Sequence, residues 1–133
     1  QIGDEYLYTM EHGAKSKTSI PWHWVQLGKA NVVLGMMFFD EYRRAHVKDP
    51  QLAEQKLRQA AHNWTLSMAY DSLYGNNFRD ANKGREDIYN QLKKLNIQEM
   101  KWVKESMEQT YKKYHISEDG RAFEKLLKER FQI

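Results

Sequence analysis

Five histidines, at positions 12, 23, 46, 62 and 115, are the side chains best suited to acid-base work or metal ligation near neutral pH. A metal site on helices needs ligands stacked at i,i+3 or i,i+4, as in the Glu-x-x-His pairs of di-iron bundles. Here the histidines fall one to a segment, and Glu41 meets Arg44 where such a ligand would stand. A metal core would have to be assembled from Glu41, His46, His62 and Asp71, brought together from separate segments. A phosphate loop needs two glycines framing four residues before Lys-Ser/Thr, so that backbone N–H groups face the phosphates. Gly13-Ala14-Lys15-Ser16-Lys17-Thr18 has that composition without the second glycine. With no cysteine and no Gly-x-Ser-x-Gly elbow, a nucleophile has no recognisable seat. The sequence therefore names no catalytic residue, metal ligand set or cofactor, and points to binding rather than catalysis. Asn63-Trp64-Thr65 has the form of a glycosylation acceptor but sits in a helical pattern.

The elements that must position any site are helices. Apolar residues recur at three- and four-residue steps: Ala81, Ile88, Leu92, Leu95; then Met100, Val103, Met107, Tyr111, Tyr114; then Phe123, Leu126, Leu127, Phe131. No run alternates with period two. Asp49-Pro50 is an N-cap followed by proline at the first helical position, Asn96 to Glu99 has the capping-box form, and Ser117-Glu118-Asp119 puts a cap and two acids at another start. Gly75-Asn76-Asn77 marks a turn. The pattern predicts helices near 21–45, 50–62, 63–75, 78–95, 97–115 and 118–131. His62-Asn63 is a weak break, so 50–74 as one helix is the alternative. Residues 1–18 read as an arm, whose Tyr6, Leu7, Tyr8 and Met10 are docking side chains, and residues 19–133 as a single all-α domain.

A chain of 133 residues is long enough to bury roughly two thirds of its unfolded surface without staples. The lack of cysteine fits a reducing, cytoplasmic setting. No charged-then-apolar leader opens the sequence at Gln1, which reads as part of a larger protein. The longest apolar stretch, 32–39, falls far short of the roughly 20 residues that span a bilayer. Net charge is +3, from 21 basic and 18 acidic residues, and the signs are interspersed, as in Glu108/Lys112 and Glu124/Lys128. That argues against a nucleic-acid partner, and Tyr111-Lys112-Lys113-Tyr114 reads as one helix showing two faces.

The chain also carries a repeat. Leu34-Gly35-Met36-Met37-Phe38-x3-Tyr42 aligns with Leu66-Ser67-Met68-Ala69-Tyr70-x3-Tyr74, 32 residues later. A large apolar residue beside a small one lets a second helix approach closely. Gly28 and Gly35, seven apart on one stripe, imply the same close approach, since each costs up to about 1 kcal/mol of helix stability relative to alanine. This pattern resembles the tetratricopeptide repeat, with Ala53-x3-Leu57-x2-Ala60 as a second helix and poorer units at Leu66 to Ile88 and Met107 to Leu126. Asn31 and Asn63 stand where that family has tryptophan, and Glu108 and Arg85 fill slots that should be small or apolar. The fold is thus expected to be either three stacked antiparallel hairpins or a helical bundle.

The resemblance implies a scaffold or adaptor module that takes an apolar peptide or helix. Its groove would comprise Lys29, Val32, Met36, Phe39 and Asp40 from the first unit, Trp64, Met68 and Asp71 from the second, and Trp102, Glu105, Gln109 and Lys112 from the third. Trp64 and Trp102 would be partly open to water, and Leu34, Leu66 and Met107 buried. Trp22-His23-Trp24 cannot put both indoles on one helical face, which leaves one for the arm or for a partner. The alternatives are a self-associating bundle and a small enzyme or ligand-binding bundle.

Overall fold

Helix starts marked in the sequence are built largely as caps. The structure, a computed structural model, describes residues 21–72 and 79–133. Among these residues five α-helices are present: α1 (Pro21–Ala45), α2 (Pro50–Tyr70), α3 (Arg79–Leu92), α4 (Ile97–Tyr114) and α5 (Ala122–Phe131), with one 3-10 turn at Glu118–Gly120. Asp49 accepts the Leu52 N–H at 3.1 Å ahead of Pro50. Asn96 and Glu99 cap each other's backbone N–H groups at 2.8 and 2.9 Å. Ser117 makes no side-chain cap, and the expected helix over 118–131 divides into the 3-10 turn and α5. The Glu124 N–H in the first turn of α5 donates instead to the hydroxyl oxygen of Tyr111, on α4, at 3.2 Å.

Of the two alternatives for residues 50–74, the structure has the single helix, without the weak break at residues 62 and 63. Helix α2 runs unbroken from Pro50 to Tyr70 and widens into a π-type turn at 71–72. Neither glycine nor proline stands at His62-Asn63 to stop it, and the Asn63 amide is occupied, donating to Asn31 Oδ1 at 2.9 Å. The boundary between the first two repeat units therefore falls inside one helix. The arm 1–18, the turn at 75–77, and the side chains of Trp22, His23 and Trp24 lie outside the described residues. Among the described residues there is no strand, and no helix long and apolar enough to cross a membrane.

Successive helices alternate in direction, so the connections 46–49 and 93–96 and the last residues of α5 share one end of the bundle. Helix α2 is the central element, packed against α1, α3, α4 and α5. Every residue from Trp64 to Asp71 is buried. It meets α1 antiparallel and α4 in parallel, since the Ser106 hydroxyl donates to Arg58 O at 2.7 Å and His62 meets Thr110 one turn further along both helices. Buried polar groups on α2 close locally or onto α1: Thr65 donates to Ala61 O and Ser67 to Gly28 O, both at 2.7 Å. Around these lie Leu57, Met68, Ile88, Leu92, Val103, Met107, Phe123 and Leu127, all essentially inaccessible.

The expected glycine stripe is where α1 and α2 touch. The Trp64 indole lies directly on Gly35, flanked by Phe39 with ring centroids 5.5 Å apart, and the Asp71 carboxylate lies on Gly28. A Cβ at Gly35 would collide with the Trp64 ring nitrogen, whereas one at Gly84 would meet only Val32 Cγ2, at 3.2 Å. Gly35→Ala should therefore destabilise the fold by about 1–3 kcal/mol despite better helix propensity, because a wholly buried indole has nowhere to move. Gly84→Ala should stay within about 0.5 kcal/mol of the parent, as the propensity gain offsets a mild contact. Urea melts of the two variants make the comparison, and equal shifts would place the tight contact elsewhere.

Candidate docking surface

The groove residues expected from the repeat do not form one surface. Lys29 and Asp40 are exposed on α1, Asp40 accepting from Arg44, while Val32 and Met36 are half-buried. Phe39, Trp64, Met68 and Asp71 are buried, so Trp64 is a core residue rather than a half-open groove wall. Trp102 is half-buried on α4, and Glu105, Gln109 and Lys112 are exposed there, Glu105 accepting from Arg58 at 3.0 Å. The physical reason is the central position of α2. Asn63 and Ser67 face α1, whereas Arg58 and His62 face α4, so the α1 and α4 sets sit on opposite sides of it. Leu66 and Met107 are buried as expected, but Leu34 is 41% exposed.

The four side chains considered for a metal core are likewise apart. Glu41 pairs with Lys56 at 2.8 Å, and His46 Nε2 lies 3.1 Å from Glu99. Among the described residues no group of three His, Cys, Asp or Glu is placed to hold a metal ion. His62 Nδ1 is 2.9 Å from Thr110 Oγ1, whose own proton goes to Ser106 O at 2.8 Å. The Thr110 oxygen must therefore accept, which assigns Nδ1–H to His62. Burial, and then the Lys113 charge, push the His62 pKa below its ordinary value.

Asp71 is pushed up to about 6, because burial outweighs the opposing pull of Arg85 and Lys29. A carboxyl whose folded pKa exceeds its unfolded value near 3.8 weakens the fold above both values and ceases to do so as pH falls through the window between them. His62 acts in the opposite sense, since a depressed histidine pKa costs stability as pH drops below its ordinary value.

The connection between α3 and α4, the first turns of α4 and the end of α5 enclose an apolar notch of about 420 Å³. Its walls are Leu95, Ile97, Met100, Phe131 and Ile133, and Lys101 and Lys104 stand at its rim. These positions meet because Ile97, Met100, Lys101 and Lys104 recur at i, i+3, i+4 and i+7 on α4. Ile97, at the first helical position, is 91% exposed. A second aliphatic side chain, Val47, is 87% exposed on the neighbouring connection. The two connections are tied together by Glu99, which is buried and accepts from Asn96 N–H and the Tyr42 hydroxyl while contacting His46. Burial first, and then the Glu99 carboxylate, hold the Tyr42 phenol well above its usual range.

Cations concentrate at this end. Arg43, Lys48, Lys93, Lys94, Lys101 and Lys104 have no carboxylate partner among the described residues. Of the carboxylates in these segments, Asp49 is committed to the cap of α2 and Glu99 to its buried bonds, while Glu105, paired with Arg58, and Glu108 stand one turn beyond Lys101 and Lys104 on α4. Elsewhere along the flanks Lys56, Arg58, Lys83, Lys128 and Arg130 are paired with acids. The interspersed signs of the sequence conceal this, because the cations come from three separate segments. The only local signal is Lys93-Lys94 beside a capped helix start.

Comparison of the chain with models of protein families, with curated protein sequences and with solved structures returns no match. The opposed titrations of Asp71 and His62 can be separated by mutation. Asp71→Asn should stabilise the fold by roughly 1–3 kcal/mol at pH 8, where the parent carries a buried carboxylate, and by much less at pH 5. The variant should also lose more stability than the parent as pH falls from 7 to 5, since His62 then acts alone. Urea midpoints at both pH values check this, and an equal effect of the substitution at the two would remove Asp71 from the pH profile.

Proposed function

We propose that this chain is a docking module rather than an enzyme, and that its working surface is the end of the bundle carrying the notch. The observation that carries this reading is an open apolar notch whose rim cations, Lys101 and Lys104, make no ion pair among the described residues. Apolar side chains left in water at a helix start, beside unpaired lysines, stabilise nothing within the domain itself. They suit a partner that brings an apolar group among negative charges. On this reading the adaptor role suggested by the sequence is assigned to the surface of α4 and α5, because Trp64 is buried. A cytoplasmic setting agrees with the absence of cysteine.

A second reading, self-association, is favoured by one observation: Val33 and Met37 are 58% and 55% exposed beside Leu34 on the outer face of α1. Sedimentation of the parent and of Met37→Glu separates the two readings. A dimer dissolved by that change supports self-association.

The docking reading is tested by titrating the protein with a short peptide that carries Leu-Phe between Asp and Glu residues. Binding should weaken about ten-fold or more in Lys101→Glu/Lys104→Glu and fall with added salt. The melting temperature of that variant should stay close to the parent's, because these side chains make no pairing that the fold uses. Peptide binding that ignores both lysines and salt would move the docking site elsewhere.

A further inference from the structure

We infer that the partner of this end surface is an anionic phospholipid membrane, onto which the bundle docks end-on with Val47 and Ile97 entering the lipid interface. The inference rests on the docking reading above and names the partner of the same site. Two features select a flat apolar medium over a peptide. First, the exposed aliphatic groups are not confined to the concave notch. Val47 and Ile97 are each almost wholly exposed, on two different connections that the buried Glu99 cluster ties together at one end of the bundle. A peptide seated in the notch has no use for Val47, which is not among the notch walls. A membrane interface takes both residues at once.

Second, the charges follow the end of the bundle rather than the notch. Arg43 and Lys48 flank Val47, Lys93 and Lys94 precede Ile97, and Lys101 and Lys104 follow it. Long basic side chains around short aliphatic ones suit an interface in which the cations stay at the phosphate level while the hydrocarbon tips lie deeper. Each basic residue held near an anionic leaflet strengthens attachment by about five-fold. Among the described residues the opposite end mixes Lys112, Lys113 and Arg121 with Glu118, Asp119 and Glu124. The described residues of the notch end are the ones complementary to such a surface. No described helix crosses the bilayer, so attachment is reversible and peripheral.

Co-sedimentation of the full chain with phosphatidylcholine vesicles, with and without phosphatidylserine, tests this. Phosphatidylserine should raise partitioning about ten-fold or more at low ionic strength, with loss on adding salt. Lys93→Ala/Lys94→Ala should reduce it about 25-fold, and Val47→Ser/Ile97→Ser about ten-fold or more. Circular dichroism melts of the variants, whose altered side chains are exposed, verify that the fold is unchanged. Partitioning that is indifferent to phosphatidylserine overturns the inference, as does partitioning that survives Val47→Ser/Ile97→Ser, since charge alone would then account for it. If vesicles fail while the acidic Leu-Phe peptide binds, the lipid partner falls and the docking reading stands as protein recognition. If both fail, the docking reading falls with it.

Discussion

The approach of α1 to α2 rests on one contact, the Trp64 indole set against the bare backbone at Gly35. Both helices carry polar groups along the same seam, and these reach their partners only at that separation. Asn63 bonds Asn31, which in turn donates to Leu27 O at 2.8 Å, and Ser67 bonds Gly28 O. Larger side chains at positions 28 and 35 would hold the helices apart and strand these groups without water, a penalty of about 1–3 kcal/mol for each. The indole N–H itself has no hydrogen-bond partner. Its packing with Phe39 and the neighbouring backbone must outweigh that cost, which makes the glycine contact the feature on which the α1–α2 layer depends.

From that layer the remaining helices take their places. Because α2 is central, it contributes opposite faces to α1 and α4, and its second half has no solvent side. Successive turns of α2 then fix α4 through Arg58, His62 and Thr110, while the buried Glu99 fixes the start of α4 against the end of α1. A buried carboxylate that answers a backbone N–H, a phenol and an imidazole is a strong specifier of register, whatever its net energy. It also ties the connections that carry Val47 and Ile97 to one end, so the core polar network and the outward surface are parts of one arrangement.

Local features were legible in the sequence. The caps at Asp49 and Asn96 depend on residues three apart, and the glycine stripe on residues seven apart, so both follow from spacing alone. Features set by distant neighbours were not. Helical spacing places Trp64 on a face but does not tell whether another helix covers that face, and the repeat alignment took the open alternative. The Leu34-Gly35 pair reads as a buried unit, yet only the glycine is buried, and its neighbour on α1 is exposed. His62-Asn63 looked like a break because both are weak helix formers. The side chains they meet, Thr110 and Asn31, come from other helices. The basic end escaped notice for the same reason, since its cations converge only once two connections lie at one end.

Tyr111 carries a consequence of a different kind. Helix α5 is short, has no side-chain cap of its own, and relies on a phenol oxygen from α4 for the N–H of Glu124. The same ring lies beneath the Arg121 guanidinium, 5.2 Å from its centroid, at the entry to α5. A ten-residue helix is marginal alone in water, so α5 has no independent existence before α4 is seated on α2. The stability of α5 is thereby made dependent on α4, whose Tyr111 both caps its first turn and carries Arg121 at its entry. Amide protons of α5 should accordingly open with the least free energy of the described helices, a low-stability element next to the notch to which Phe131 contributes.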